Sequence, residues 1–535
     1  MSPMKSQNVS RVVLASGVGA VLAATALLYL PELLGGDPPR PPGPAERAAS
    51  AAHAGAPAAL PDLVALIGDR EEWLEEHPDD ASSWAVLGAA YTERGARLGD
   101  VRDLPRAERA LNRSLAELPA GRGNVDAQLG LGVLAGARGD WKGAKEWGER
   151  VRKAAPRRWN TYPLLIDAYN GLGDYPAARK AMERLEELHG GAAVRGRAAQ
   201  VHRDRGWRED ADATALDAAA LAATDTEKAA AHTRLGQFSW ERGEPAEALE
   251  RYGTALRFVK DHGPALAGRA RALAALGRTD EAQRDWRAAL ARQPLPEYVL
   301  ESGEMAESLG LDGDARAAYE RLRSGSWASP TTEVVLGLLD ADHGAPGAAV
   351  ARMRAAWAEG RRSVAVADAL GWALFRAGEP EKALPYARRA TEEGPRSAPF
   401  TYHLGEIERA LGRTGPARRH LVEALRIHPS FSPLHAPRAA SALAGLGEPD
   451  PDAVPKDALS GKELKRLRAT NGPKEPKESA APKESTGSAG SAGSAGSAGS
   501  REPEEPKESA APERGGAPEE SESEAESEAE ATKAG

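Results

Sequence analysis

The sequence predicts an all-α solenoid of about ten stacked helical hairpins. Three observations lead there: a pattern of apolar and small residues that recurs mostly every 33 or 34 positions, helical spacing inside each copy, and a turn that splits each copy in two. The pattern is plainest in VADALGWALFRAGEPEKALPYARRATEEGP, which contains Leu370-Gly371, Leu374, Gly378, Ala383, Ala387, Ala390 and Pro395. A slide of 34 residues finds Leu404-Gly405, Gly412, Ala417, Leu421, Ala424 and Pro429. The reverse slide finds Leu336-Gly337, Gly344, Ala349, Met353 and Ala356.

In chain order, residues 1–11 form a short basic N-tail, expected on the cytoplasmic side. Val12 to Leu30 is an uncharged run of nineteen residues. As a helix it measures ~28 Å, enough for a bilayer's hydrocarbon core. Lys5 and Arg11 precede it and Glu32 and Asp37 follow, which favours a signal anchor with the bulk of the chain outside the cytoplasm. A cleaved signal peptide is the rival, but bulky Leu-Tyr-Leu-Pro-Glu stands where a small-residue cleavage site belongs. Residues 31–60 are rich in Pro, Gly and Ala and read as a linker. The repeat domain is expected over 61–447, with a leading helix in 61–80 and a trailing cap in 433–447.

Copies begin near residues 81, 125, 159, 192, 229, 263, 296, 330, 364 and 398. The first spacing is long, with an insertion around ARLGDVRD (96–103) and the turn AGRGN (120–124). The fourth copy is degenerate, with Arg195 in a slot that expects a large apolar residue. Within each copy the apolar slots fall at i, i+3, i+4 and i+7, one face of a helix. A single hairpin cannot bury such a face alone, so the copies must stack. After Gly447 the chain turns to low complexity, GSAGSAGSAGSAGS (487–500) and ESESEAESEAEATKAG being examples. Residues 448–535 hold twelve Lys/Arg against twenty Asp/Glu and account for most of the net charge of −9. That segment is expected to be a disordered acidic tail.

The first copy, with Trp84, Leu87-Gly88, Tyr91, Ala107, Leu111 and Pro119, resembles the tetratricopeptide repeat signature W-x2-L-G-x2-Y…A-x3-F…P. Other copies match most slots, with Leu131-Gly132 and Ala144, Leu235-Gly236 with Ala248 and Tyr252, and Ala270 with Ala282, Trp286 and Pro294. The resemblance covers roughly 81–431 and implies a right-handed superhelix whose concave face binds other proteins. A weaker resemblance joins EEWLEEHPDDASSWAVLGAAY (71–91) to membrane-anchored tetratricopeptide proteins of c-type cytochrome biogenesis. The insertion after Tyr91 and the many further repeats depart from that group.

Catalytic motifs are not found. GxxxxGK, HExxH and GxSxG do not occur, and without cysteine there is no thiol nucleophile or thiolate metal site. No cofactor and no metal are expected. The near-neutral body gives no field for nucleic acid. His428 and His435 could be imagined as metal ligands, but Pro429 and Pro433 interrupt any helix joining them. The expected function is a non-enzymatic scaffold or assembly factor that binds other proteins or extended peptide segments; its oligomeric state is open. The alternatives are a cytochrome-maturation chaperone and a cytoplasm-facing regulatory adaptor.

By the resemblance, slots beside the packing face of each first helix point into the groove. In copies four to six these are Arg197, Gln200, Arg203, Arg234, Gln237, Trp240 and Arg271, a set suited to an acidic peptide or a carboxylate terminus. In copies nine and ten they are Asp368, Trp372, Phe375, Arg376, Tyr402, His403, Glu406 and Arg409, with Trp372 and Phe375 expected as exposed aromatic anchors. The Lys/Asn clamp for a chaperone carboxylate is missing, since its slots hold Ala85, Ala89, Leu129, Val133, Pro163 and Asp167.

Overall fold

In the computed structural model, which describes residues 41–447, every periodic segment folds as a helix, and no strand occurs among the described residues. Two helices lead, α1 (Pro44–Ala54) and α2 (Leu60–Glu76). The first five hairpins are α3 (Ala81–Leu98) with α4 (Asp103–Glu117), α5 (Val125–Ala137) with α6 (Trp141–Ala154), α7 (Thr161–Leu172) with α8 (Tyr175–Leu188), α9 (Ala192–Asp204) with α10 (Arg208–Leu221), and α11 (Asp225–Glu241) with α12 (Pro245–Phe258). The next five are α13 (Gly263–Ala275) with α14 (Thr279–Arg292), α15 (Pro296–Ser308) with α16 (Asp312–Ser324), α17 (Thr332–His343) with α18 (Pro346–Ala358), α19 (Val364–Arg376) with α20 (Pro380–Glu393), and α21 (Ala398–Ala410) with α22 (Thr414–Ile427). A last helix, α23 (His435–Gly445), closes the described chain.

Local chemistry fixes the helix ends. Asp80, Asp140 and Asp174 accept backbone N–H bonds at the starts of α3, α6 and α8. Pro245, Pro296, Pro346 and Pro380 occupy first helical positions, where a missing N–H costs nothing. Each hairpin closes by small-to-large packing. A Cβ on Gly236 would sit 2.8 Å from the Tyr252 ring, and one on Gly337 would sit 2.9 Å from Met353. The second-helix slots Ala144, Ala248, Ala282, Ala383 and Ala417 are all fully buried. Glycine and alanine at these slots let the two helix backbones approach, which the 34-residue pattern required.

One expectation changes and two gain detail. The stretch expected as linker contains a helix: α1 buries Ala48 against the leading helix, and the turn at Gly55 rests on Trp159. In the fourth hairpin Arg195 points outward and pairs with Glu186, while Val194, Ala198 and Ala199 fill the core. The register is the expected one, with Ala198 and Ala199 in the slots that Leu87 and Gly88 fill in the first hairpin, and the extra residues before the fifth hairpin lengthen α11 to 17 residues. The insertion near 96–103 extends α3 and closes over the buried Arg94–Asp103 pair, with bonds of 2.7 and 2.8 Å. The expected span at 12–30 and the tail at 448–535 lie outside the described residues, among which no helix is long and apolar enough to cross a membrane.

A second level of contact has nothing to do with the 34-residue period. The inner turns of the first five hairpins touch loops about five hairpins later in the chain. A Cβ on Gly99 would lie 3.3 Å from the Pro294 carbonyl oxygen, one on Gly139 3.5 Å from Pro330, and one on Gly243 2.6 Å from the Ile427 carbonyl oxygen. Tyr175 Oη accepts the Val364 N–H at 2.8 Å, and Arg208 donates to the Arg396 carbonyl at 2.8 Å. Successive turns of the solenoid thus rest on one another.

Candidate partner-binding site on the inner face

The first helix of each hairpin presents polar residues on its inner side, and in the middle of the solenoid these are laced together between neighbours. Arg203 on α9 makes two bonds to Glu241 on α11, at 2.8 and 2.6 Å, and Gln237 donates to the same carboxylate at 3.0 Å. Gln200 donates to Asp204, which also takes a bond from Arg203, both at 2.9 Å. Arg271 on α13 forms a forked pair with Glu301 on α15 and lies 5.9 Å from the ring centres of Trp286 and Tyr298. Arg197 on α9 pairs with Asp167 on α7. Burial alone would pull the Arg203 and Arg271 guanidiniums down; their carboxylate partners more than offset this and hold both above the usual range.

The arginines therefore form inter-hairpin ion pairs rather than a free cationic patch. Arg234 is the exception. It has no hydrogen bond or ion pair among the described residues, and burial together with Arg197 pushes it down to about 10. Its guanidinium lies over the glycine backbone of α9 at Gly196.

Between these helices and the returning chain lies a cavity of about 730 Å³. Gln237, Trp240, Arg271 and Glu304 line one side, and the loops at Pro395–Pro399 and Pro429–Pro433, with Ala436 and Pro437 of α23, line the other. His428 stands edge-on to Trp240 at 4.2 Å between ring centres, and burial holds its imidazole down at about 4.

The predicted residues of copies nine and ten are placed differently. Trp372 is 2% exposed, donates to Asp342 at 3.0 Å and stacks on His403 at 4.1 Å. His403 in turn bonds Asp368 at 2.9 Å. Tyr402 is also 2% exposed and stacks on His435 of α23 at 5.4 Å. Phe375 is half-buried against Trp372. Exposed Arg376 donates to the Ala341 carbonyl at 3.2 Å, and Glu406 is buried under a forked pair to Arg409. The expectation that Trp372 stands exposed is corrected. Helix α23 returns across the inner face, burying Ala436 and Ala439 in the same apolar cluster as Trp372 and Tyr402.

Glu241, Glu301, Glu304, Asp342, His435 and Arg438 were missed in the sequence. Glu241 and Glu301 had a signal: each lies about one repeat from the arginine it neutralises. Asp342 had the same signal, about one repeat from Trp372, but Glu304 had none, because chain more than ninety residues on closes the cavity it faces.

A tetratricopeptide repeat family profile matches residues 268–330, 335–398 and 369–432. Among solved structures, the chain is similar to the Cut9–Hcn1 hetero-tetramer of APC/C, at 15% identity over 72% of this chain and 82% of that one, with a TM-score of 0.37. It is similar to the human IFIT1 dimer with PPP-AAAA at 15% identity, over 68% and 89%, with a TM-score of 0.40. A tetratricopeptide repeat protein from Parabacteroides merdae aligns at 17% identity, over 48% and 99%, with a TM-score of 0.30. No curated protein matches in sequence. The chain carries tetratricopeptide repeats, and its described residues form an all-helical solenoid of that type.

Proposed function

We propose that this protein is a non-enzymatic scaffold or assembly factor that holds an extended segment of another protein against the inner face of hairpins four to seven. The observation that carries the reading is the cavity of about 730 Å³ between that face and the loops of the following turn. Its size falls within the ~300–1,000 Å³ usual for small-molecule pockets, room for one or two side chains of such a segment. Four of its charged groups, Arg203, Glu241, Arg271 and Glu301, are already fixed by ion pairs, so a ligand meets a surface that loses little freedom on binding. Residues 12–30 tether the scaffold to the membrane and place the repeats on the extracytoplasmic side; the charge pattern around that run supports this.

Site-specific photo-crosslinking in cells tests the reading. A crosslinker at Gln237, exposed beside the cavity, is expected to trap a discrete partner, while one at exposed Lys180 on α8 is not. Trapping of the same proteins from both positions would overturn the assignment. The compartment of the trapped partner reports the topology.

A further inference from the structure

Each carboxylate on the wall of the inner cavity has a cationic partner, with one exception. Glu241 is held by Arg203, and Glu301 by Arg271. Glu304, one helical turn along α15 from Glu301, faces the cavity and makes no hydrogen bond or ion pair among the described residues. Its side chain is half-buried at the cavity wall, where a carboxyl without a partner is costlier than in open water, and proteins usually neutralise or pair it. The groups that act on it are Glu301 and Glu307 on its own helix, Asp342 from α17 and Arg438 from α23, and three of these four are acidic. Across the cavity, Arg203 and Arg271 are committed to their own carboxylates, Arg396 pairs with Glu423, and His428 is neutral.

The walls suit the missing cation. Half-buried Trp240 lines the cavity, where an indole attracts ammonium and guanidinium groups when water is excluded, while Trp286 lies buried with Arg271 already over its ring. The rim contains Pro395, Pro399, Pro429, Pro433 and Pro437, a rigid apolar collar for an aliphatic stem. Long basic side chains combine those two parts.

We propose that the cavity is a recognition site for a basic side chain, an ammonium or guanidinium group on an apolar stem, with Glu304 as its counter-ion. The inference rests on the scaffold reading above and adds to it the chemistry of the bound segment: a partner peptide with a lysine or arginine seated between the two turns. Burial, then Asp342, Glu301 and Glu307, push the Glu304 carboxyl up to about 8, so it is protonated in the empty site at neutral pH. The cation binds the carboxylate form. Binding therefore expels close to one proton at pH 7, and affinity rises with pH until about 8, weakening roughly tenfold per unit below that.

The test uses the full chain and three probes: a ten-residue Ala/Ser peptide with one central arginine, the same peptide with norleucine, and spermidine. The arginine peptide is expected to bind at least about tenfold tighter than the norleucine peptide at pH 8, the scale of one charge-assisted hydrogen bond. Glu304→Gln should erase that preference and the proton release together. The variant keeps the shape of the neutral acid and cannot ionise, so its thermal midpoint is expected to be unchanged at neutral pH and raised above pH 8. Equal binding of the two peptides, or a preference that survives in E304Q, overturns cation recognition while leaving the scaffold intact. Failure of both peptides, with partner trapping at Gln237 retained, overturns it as well; loss of trapping too removes the scaffold reading itself. Competition by spermidine as strong as by the peptide supports the cation site and assigns its source to a free polyamine.

Discussion

The inner faces of hairpins four to seven and of hairpins nine and ten occupy the same slots of the same repeat, yet one is a surface and the other a core. In the first region, inner-face side chains face a cavity and are tied down by ion pairs such as Arg271–Glu301. In the second, Trp372, Tyr402 and His403 lie under α23 and pack with Ala436 and Ala439. The repeat pattern sets which way a side chain points. Whether it meets water depends on whether another part of the chain comes back to cover it. The inner turns show the same contrast, since Gly243 abuts Ile427 whereas Gly277 has nothing within 4 Å.

The widest gap is expected between two tryptophans. Trp372→Ala opens a cavity in the covered region and removes the indole N–H bond to Asp342, and should cost about 3–5 kcal/mol. Trp240→Ala, half-buried beside a cavity, should cost at most about 1–2 kcal/mol. Equal losses in urea denaturation would show that α23 does not seal the last hairpins.

Next comes the pair of turns. Gly243 and Gly277 both hold positive φ, at 80° and 75°, so alanine at either costs about 1–2 kcal/mol in backbone strain. Gly243→Ala also drives a methyl to 2.6 Å from the Ile427 oxygen and 2.9 Å from the His428 Cα, adding about 1–3 kcal/mol. If the two variants unfold alike, successive turns are not in firm contact in solution.

The ion pairs give a smaller effect. Arg271→Ala leaves Glu301 without its partner on a surface that is two-thirds covered, and about 1–2 kcal/mol is expected after discounting for solvent. Arg113→Ala breaks an exposed pair one helical turn from Glu117 and should cost no more than about 0.5 kcal/mol. Similar small losses at both sites would mean that the inner lacing adds nothing to stability.

The last contrast is read against pH. Burial holds His428 and His435 down at about 4, so the unfolded chain binds protons first as pH falls below about 6.5. Stability from these two is present above about 6.5 and is lost towards pH 4, which loosens the contacts at Trp240 and Tyr402. H428Q with H435Q should flatten that acid limb. Glu304 works in the opposite direction. Its raised pKa favours the fold at low pH, and that contribution fades as pH rises from about 4.5 through about 8, a slope that E304Q should remove. Denaturation midpoints measured from pH 4 to 9 separate the two.

How much was legible follows from distance along the chain. The hairpins, their turns and their close-packing glycines were readable because helix periodicity and capping act over four to seven residues, and hairpin packing over one repeat. Leu370-Gly371 and Ala383 announce their packing in the sequence. Arg195 misled because a large apolar residue was expected in its slot, which is only half-buried even in the first hairpin, at Trp84. The charges on Arg203 and Arg271 were visible as groove residues, but their neutralisation needed the neighbouring hairpin's carboxylates to be placed.

By itself, then, the sequence determined an all-helical stack of hairpins and the small and apolar slots by which each one packs. Tertiary structure alone decided that successive turns of the solenoid touch, that α23 turns Trp372 and Tyr402 into core, and that Glu304 is left facing a cavity without a partner. The reason is physical. A repeat pattern records what each residue needs from its neighbours within about 34 positions. The pitch of the superhelix is the sum of many small rotations between hairpins, and no single residue encodes it.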